Sequence, residues 1–254
     1  EVYVPFTAGE KMATIIYTLG KYLMLLVFPH PLTHDYYPRH IDIMHFSDGP
    51  VVISLISYLV LIGLAVYGYK KDRVLSFGIL YFLITISIVS NIVFPIGTNM
   101  SERFLFMPSL GFCLLVPYLI YKLSGSGKTA MMVVGLISLA FAAKTFTRNQ
   151  VWVNDFTLFT TDVKTSKNSA KVLNAAGGAL QTEAPKEKDV NKKNQMLQQA
   201  VTYLNEAIKI HPTYKNAYLL LGNSYYFLND FDKSIAAYKK SLALDPDFKD
   251  ATNN

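Results

Sequence analysis

The stretch AYLLLGNSYYFLNDFDKSIAAYKKSLALDP, residues 217–246, decides how the second half of the chain folds. Tyr218, Leu221, Tyr225 and Tyr238 are large, whereas Gly222 and Ser234, twelve residues apart, are small. Small residues at that spacing let two antiparallel helices come together, and the large ones fill the space between them. Pro246 stops the second helix, because it has no N–H to donate and its ring clashes with the preceding turn. A helical hairpin over 215–248 follows from these positions.

Working outward, Pro212 and Pro246 stand 34 residues apart, closing the segments IKIHP (208–212) and LALDP (242–246). That period, with its large–small pattern, is the tetratricopeptide spacing. An earlier, degenerate repeat over 170–212 uses Gly177, Ala200, Leu204, Ala207 and Pro212. From Gly177 to Ala200 is 23 residues, against 12 from Gly222 to Ser234, and the extra 11 coincide with the polar run EAPKEKDVNKK at 183–193. That run reads as a solvated loop. A third repeat starts at Lys249. Each repeat buries its face only against neighbours, so the repeats are expected to continue beyond Asn254.

The first half has a different character. The 254 residues carry a net charge of +6, with 51% apolar and only 17% charged side chains. Residues 1–148 hold 18 charged groups, and the shorter 149–254 holds 24. One uniform globular domain is thereby excluded. A disordered chain is excluded too, since aromatics make up 13%. The single Cys113 rules out an internal disulfide framework or a multi-cysteine zinc site. The chain opens on Glu1 with no initiator Met or signal peptide, and so reads as a piece of a longer protein.

Four charge-free stretches occupy residues 49–69, 74–101, 104–121 and 129–143. A bilayer core needs about 20 apolar helical residues. Spans are expected near 50–69, 75–96, 104–121 and 129–147, making 1–148 a transmembrane domain and 149–254 the repeat region. The stretch 11–28 is either a further span or an interfacial helix, because Lys21 interrupts it and a lysine near the bilayer centre costs at least ~2.5–3.5 kcal/mol. Lys70, Lys71, Arg73, Lys122 and Lys128 crowd two alternate loops, against Arg39 and Arg103 in the others, which puts the former pair in the cytoplasm. The repeats then stand on the periplasmic side of a bacterial inner membrane or in the lumen of the endoplasmic reticulum.

Three segments carry a resemblance: GTNMSERFLFMPSLGFCLL (97–115), RNQVWVNDFTLF (148–159) and SAKVLNAAGGAL (169–180). Followed by repeats, they resemble the TMTC family of transmembrane and tetratricopeptide-repeat O-mannosyltransferases, and GKYLMLLVFPHPLTHDYYP (20–38) is similar to its bacterial branch. The resemblance implies an all-α chain, part of a type-C glycosyltransferase bundle followed by an α-solenoid. It further implies that mannose, or another hexose, passes from a polyprenyl-phosphate donor to Ser or Thr of a protein that the repeats present. The catalytic acidic residue is implied in a first outward loop and is expected ahead of Glu1. No cofactor is implied beyond the lipid-linked sugar, which is a substrate.

Several residues then become candidates. Glu102 and Arg103 sit at the outer mouth of the 104–121 span, where an arginine fork suits a donor phosphate; the alternative is an ion pair capping a helix. Lys21 is a further phosphate candidate, or else it snorkels. The loop HPLTHDYYPRHIDIMH (30–45) holds four of the five histidines. There His34, Asp35 and Arg39 are candidates for touching donor or acceptor, and Pro29 and Pro31 argue against a helical metal pair of His30 and His34. Trp152, Phe156 and Phe159 have the spacing of one helical face. Tyr218, Leu221, Gly222, Tyr225, Ser234, Tyr238 and Pro246 are packing residues. The near-neutral repeat region gives no reason to expect nucleic acid. Two functions remain: part of a membrane glycosyltransferase, or a non-catalytic membrane-anchored scaffold displaying repeats to protein partners.

Overall fold

A computed structural model describes residues 6–38 and 40–252. Among the described residues the chain is all-helical, and it divides into two compact units. One comprises residues 6–32 and 42–150, the other residues 33–41 and 151–252.

The first unit contains α1 (Ala8–Val27), α2 (Gly49–Lys71), α3 (Arg73–Ile88), α4 (Pro108–Ser124) and α5 (Gly127–Asn149). Thr7 starts α1 with a reciprocal capping box, its hydroxyl accepting from Glu10 N–H while the Glu10 carboxylate accepts from Thr7 N–H. Asp48 precedes α2, with Pro50 in the first turn where a missing N–H costs nothing. Helices α2 and α5, each 23 residues, are long and apolar enough to cross a membrane. Their apolar side chains point outward, with Val66 71% and Met131 78% exposed. The helix expected over 75–96 stops at Ile88 instead. There Asn91 takes a left-handed φ of 62°, and its amide braces the following loop by accepting from Ile96 N–H (2.9 Å) and donating to Thr98 O (2.8 Å).

Helices α3 and α4 cross closely at Gly111, where an added Cβ would lie 2.6 Å from Gly78 O. At one end of the bundle Asp72 caps α3 by accepting from Leu75 N–H, and it also accepts from Tyr118 OH and Lys122 Nζ. The turns bearing Lys70, Lys71 and Arg73 and bearing Lys122 and Lys128 therefore lie together. Partners of the N-terminal half of α1 include Met44 and His45, just ahead of α2. Leu19 O accepts from Tyr58 OH in the third turn of α2, and Tyr22 OH accepts from Ser101 N–H. These contacts lie in the half of the bundle opposite Asp72, whereas Val27 and Phe28 line a cavity with Val116 and Ile137 from the middle of α4 and α5.

The second unit contains α6 (Asp155–Asp162), α7 (Ala170–Glu183), α8 (Val190–Ile210), α9 (Lys215–Phe227), α10 (Phe231–Leu244) and α11 (Lys249–Thr252). Its core gathers Val172, Leu173, Ala176, Leu204, Ala207, Ala217 and Leu221. The helical hairpin α9–α10 packs as its spacing implies. An added Cβ on Gly222 would lie 2.5 Å from Tyr238 Cε1, and Ser234 OH donates to Gly222 O at 2.9 Å. Tyr238 OH donates to Asn223 Oδ1, Leu221 is buried, Tyr218 and Tyr225 are half-buried, and Asp245 ends α10 just before Pro246 while pairing with Lys215. Gly177 meets Leu204 in the degenerate repeat. Only part of the polar run 183–193 is loop: Ala184–Lys186 forms a 3-10 turn, and α8 already starts at Val190 because Asp189 accepts from Asn191 N–H. The single helical face expected for Trp152, Phe156 and Phe159 is also corrected. Asn154 restarts the chain as the cap of α6, accepting from Thr157 N–H at 2.8 Å. Trp152 is left in the 3-10 turn Gln150–Val153, 55% exposed.

Candidate functional site

In the first unit, the C-terminal end of α1, the N-terminal half of α4 and the C-terminal half of α5 enclose two adjoining cavities. They share Pro29, Phe112, Phe141 and Lys144. The upper one, of about 480 Å³, is reached from Glu102, Arg103, Ser109, Thr145, Arg148 and Asn149. The lower one, of about 790 Å³, runs down past Val116, Ile137 and Ala140. The two cavities of this groove therefore adjoin: the upper carries Glu102, Arg103 and Arg148, the lower is mostly apolar with His30 in its lining, and Lys144 belongs to both.

Local folding places each mouth residue. Glu102 and Arg103 occupy the 3-10 turn Glu102–Leu105. That turn is anchored where Ser101 N–H donates to the buried Tyr22 OH at 3.1 Å, beside buried Met100. Arg103 leans toward the Phe104 ring, 5.8 Å from its centroid, and stays exposed. Lys144 and Arg148 stand four residues apart on α5, hence on one face. Lys144 Nζ lies 3.2 Å from His30 Nδ1. Two arginines and an ammonium thus line the upper cavity, where Glu102 supplies the single carboxylate among the lining residues, and the His30 imidazole reaches Lys144 from the adjoining cavity. Such a set suits an anion with several oxygens.

The remaining candidates go elsewhere. Lys21 is not among the groove-lining residues; its ammonium lies 5.8 Å from the Tyr17 ring centroid. His34 and Asp35 belong to the helical-repeat unit and are engaged there. His34 donates its backbone N–H to Asp162 Oδ2 at 2.7 Å, with its ring Nδ1 3.0 Å from the same oxygen. Asp35 pairs with Lys171 at 2.8 Å and accepts from Tyr37 N–H. Arg39 lies outside the described residues. Among the described residues, no group of three or more His, Cys, Asp or Glu side chains is arranged to hold a metal. Sequence reasoning missed Lys144 and Arg148 as mouth residues, along with His30 beside Lys144. The i, i+4 basic pair at the end of an apolar helix was the available signal.

The tetratricopeptide repeat model matches residues 216–248. Beyond the repeat, the mouse protein O-mannosyl-transferase TMTC3 is 28% identical over 244 residues, 93% of this chain and 25% of that protein. The human TMTC3 is 32% identical over 160 residues, 62% of this chain and 16% of its own length. The fruit-fly (Drosophila melanogaster) Tmtc3 is 26% identical over 251 residues, 94% of this chain and 26% of the relative. The chain is TMTC-like. It spans a quarter or less of the first two of these TMTC relatives and 26% of the third. The similarity covers most of the TMTC-like chain, both the bundle with its groove and the repeats.

Proposed function

We propose that the groove is the donor site of a membrane glycosyltransferase that moves mannose, or another hexose, from a polyprenyl-phosphate carrier to Ser or Thr of a protein. The observation that carries this reading is a cavity lined by Arg103, Lys144 and Arg148 that adjoins a mostly apolar one through shared lining residues. A lipid-linked sugar phosphate has that same polarity along its length. Arg103, with Lys144, Arg148 and His30, holds the phosphate; Glu102 orients the cations; and Phe112, Val116, Ile137 and Phe141 receive the first isoprene units.

Cations placed where a phosphate leaves stabilise the charge that develops as the glycosidic bond breaks. In this reading α2 to α5 cross the bilayer, with the Asp72–Lys122 end in the cytoplasm. Helix α1 lies in the opposite interface, where Lys21 reaches water without entering the bilayer core. The mouth then opens on the outer or lumenal face, and the repeats engage the acceptor protein. A scaffold that only displays repeats has no use for a cationic mouth over an apolar groove.

The test uses the complete protein in membranes. Transfer of mannose from polyprenyl-phosphate mannose to a protein acceptor is measured with Arg103→Ala and Lys144→Ala. Raised donor KM in both supports the reading; wild-type kinetics in both would remove the groove from the reaction.

A further inference from the structure

In the first unit a third cavity, of about 300 Å³, lies between the first three turns of α1 and the loop that follows α3. Lys11, Thr14, Asn91 and Asn99 bring polar groups to it, and Lys11 is the single ionisable residue in the lining. Two donors there are uncommitted among the described residues. The buried Thr14 hydroxyl accepts from Met44 N–H at 3.0 Å and has no acceptor for its own proton. Asn91 spends its carbonyl on Ile96 N–H and one amide hydrogen on Thr98 O, which leaves its second N–H over. A cation with hydroxyl and amide donors, and no carboxylate in the lining, suits an oxyanion.

Beside the cavity, the loop 89–98 exposes Ile92, Val93 and Phe94 in a row. The N–H groups of Val93 and Phe94 meet no acceptor among the described residues. Apolar side chains favour lipid, whereas unpaired amides are excluded from hydrocarbon and need water or headgroups. The boundary between acyl chains and headgroups satisfies both. Helix length agrees: the 16 residues of α3 rise about 24 Å from Arg73, short of the ~30 Å core, so the chain leaves helix near the outer boundary.

We propose that this cavity takes the phosphodiester of an anionic glycerophospholipid, with Ile92, Val93 and Phe94 set among the upper acyl carbons beside it. Lys11 pairs with the phosphate charge, and Thr14 and Asn91 donate to its oxygens. The site rests on α2 to α5 crossing the bilayer and not on sugar transfer. Its test reads lipid binding, so its failure and a failure of the transfer reaction are told apart.

Native mass spectrometry of the whole chain, titrated with dioleoyl phosphatidylglycerol or dioleoyl phosphatidylcholine, gives the affinity of the first lipid bound. Phosphatidylglycerol is expected to bind at least tenfold more tightly. Lys11→Gln should lose at least fivefold of that affinity, and Thr14→Val, which carries the test if Lys11→Gln does not fold, at least threefold. Arg103→Ala should bind phosphatidylglycerol as the wild type does. Equal affinity for the two lipids, or wild-type affinity in both Lys11→Gln and Thr14→Val, would overturn the proposal. A loss in Arg103→Ala as large as in Lys11→Gln would overturn it by moving the lipid to the groove. Displacement by glycerol 3-phosphate would overturn it in favour of a water-soluble phosphate. Depth is read separately in nanodiscs, from the tryptophan fluorescence of Phe94→Trp combined with Trp152→Phe. Bromines near the headgroup should quench it more than bromines near the chain ends, and the reverse order, or no quenching, would also overturn the proposal.

Discussion

The Asp72 carboxylate, buried at the turn between α2 and α3, accepts a hydrogen bond from Lys122 Nζ at 2.5 Å, joining residues fifty positions apart. Lys122, beside Asp72, holds that carboxyl down at about 2, below the usual aspartate range, helped by the Leu75 N–H and Tyr118 OH donors. The same contact raises the Lys122 ammonium. This pair fixes two basic turns at one end of the bundle, and so defines the opposite end as the one with the groove mouth.

Because the folded-state value is depressed, the stability from Asp72 is fully present above about pH 4, the ordinary aspartate value. It is lost as pH falls through about 2. Asp72→Asn is expected to lower the melting temperature at pH 7 and to differ less from wild type as pH drops below 4. Thermal melts in detergent across that range check the sign. A variant equally displaced at all these pH values would mean that packing, not charge, accounts for the loss.

At the groove mouth, charge-assisted hydrogen bonds to phosphate each contribute roughly 1.5–3 kcal/mol. Arg103→Ala is expected to weaken polyprenyl-phosphate binding by about tenfold or more at ~1.4 kcal/mol per decade. Arg103→Lys should recover only part of that, since an ammonium cannot make two parallel bonds. Titration with polyprenyl phosphate in nanodiscs gives both numbers.

The apolar floor makes a separate prediction. Ala140→Trp places an indole across the lower cavity, which Ala140 lines with Val116 and Ile137. Donors with long polyprenyl chains should lose affinity, while a donor cut back to one or two isoprene units should be nearly unaffected. Competition between the two chain lengths measures this directly.

In the repeats, Gly222→Leu drives a side chain into the Tyr238 ring, which already lies 2.5 Å from the position of a Cβ. Overpacking of this kind costs on the order of 1–3 kcal/mol and occasionally more. The helical-repeat unit should become protease-sensitive while insertion into the membrane is unchanged. Limited proteolysis of membrane fractions, followed by blotting for each part, distinguishes the two halves.

Ser234→Ala is a gentler probe of the same hairpin. It removes the donor to Gly222 O in a buried setting and should cost about 1–2 kcal/mol. The melting temperature of the repeats should fall by a few degrees, as calorimetry or thermal circular dichroism would show.

Most of the repeat architecture was legible because its determinants are local. Gly222, Ser234, Tyr238 and Pro246 lie within one period, and the helix geometry converts their spacing directly into contact. Arg103 was also legible, standing next to an apolar span in a short polar loop. Its companions were not. His30 and Lys144 are 114 residues apart, and nothing in either neighbourhood announces the other. His34 and Asp35 drew attention as exposed polar residues. Each is engaged by a residue more than a hundred positions away, His34 by Asp162 and Asp35 by Lys171. Trp152 misled because periodicity does not register the helix restart that the Asn154 side chain enforces.

The sequence by itself determined that the first part is apolar at bilayer length and that the second part repeats as helical hairpins with a 34-residue period. These are properties of composition and spacing, which act over a few turns of helix. Only the tertiary structure decided that Arg103, Lys144 and Arg148 line one cavity, and that His30 meets Lys144 from the adjoining one. Those relationships depend on which helix faces meet, and that is set by close approaches such as Gly111 against Gly78, between residues that one-dimensional order leaves far apart.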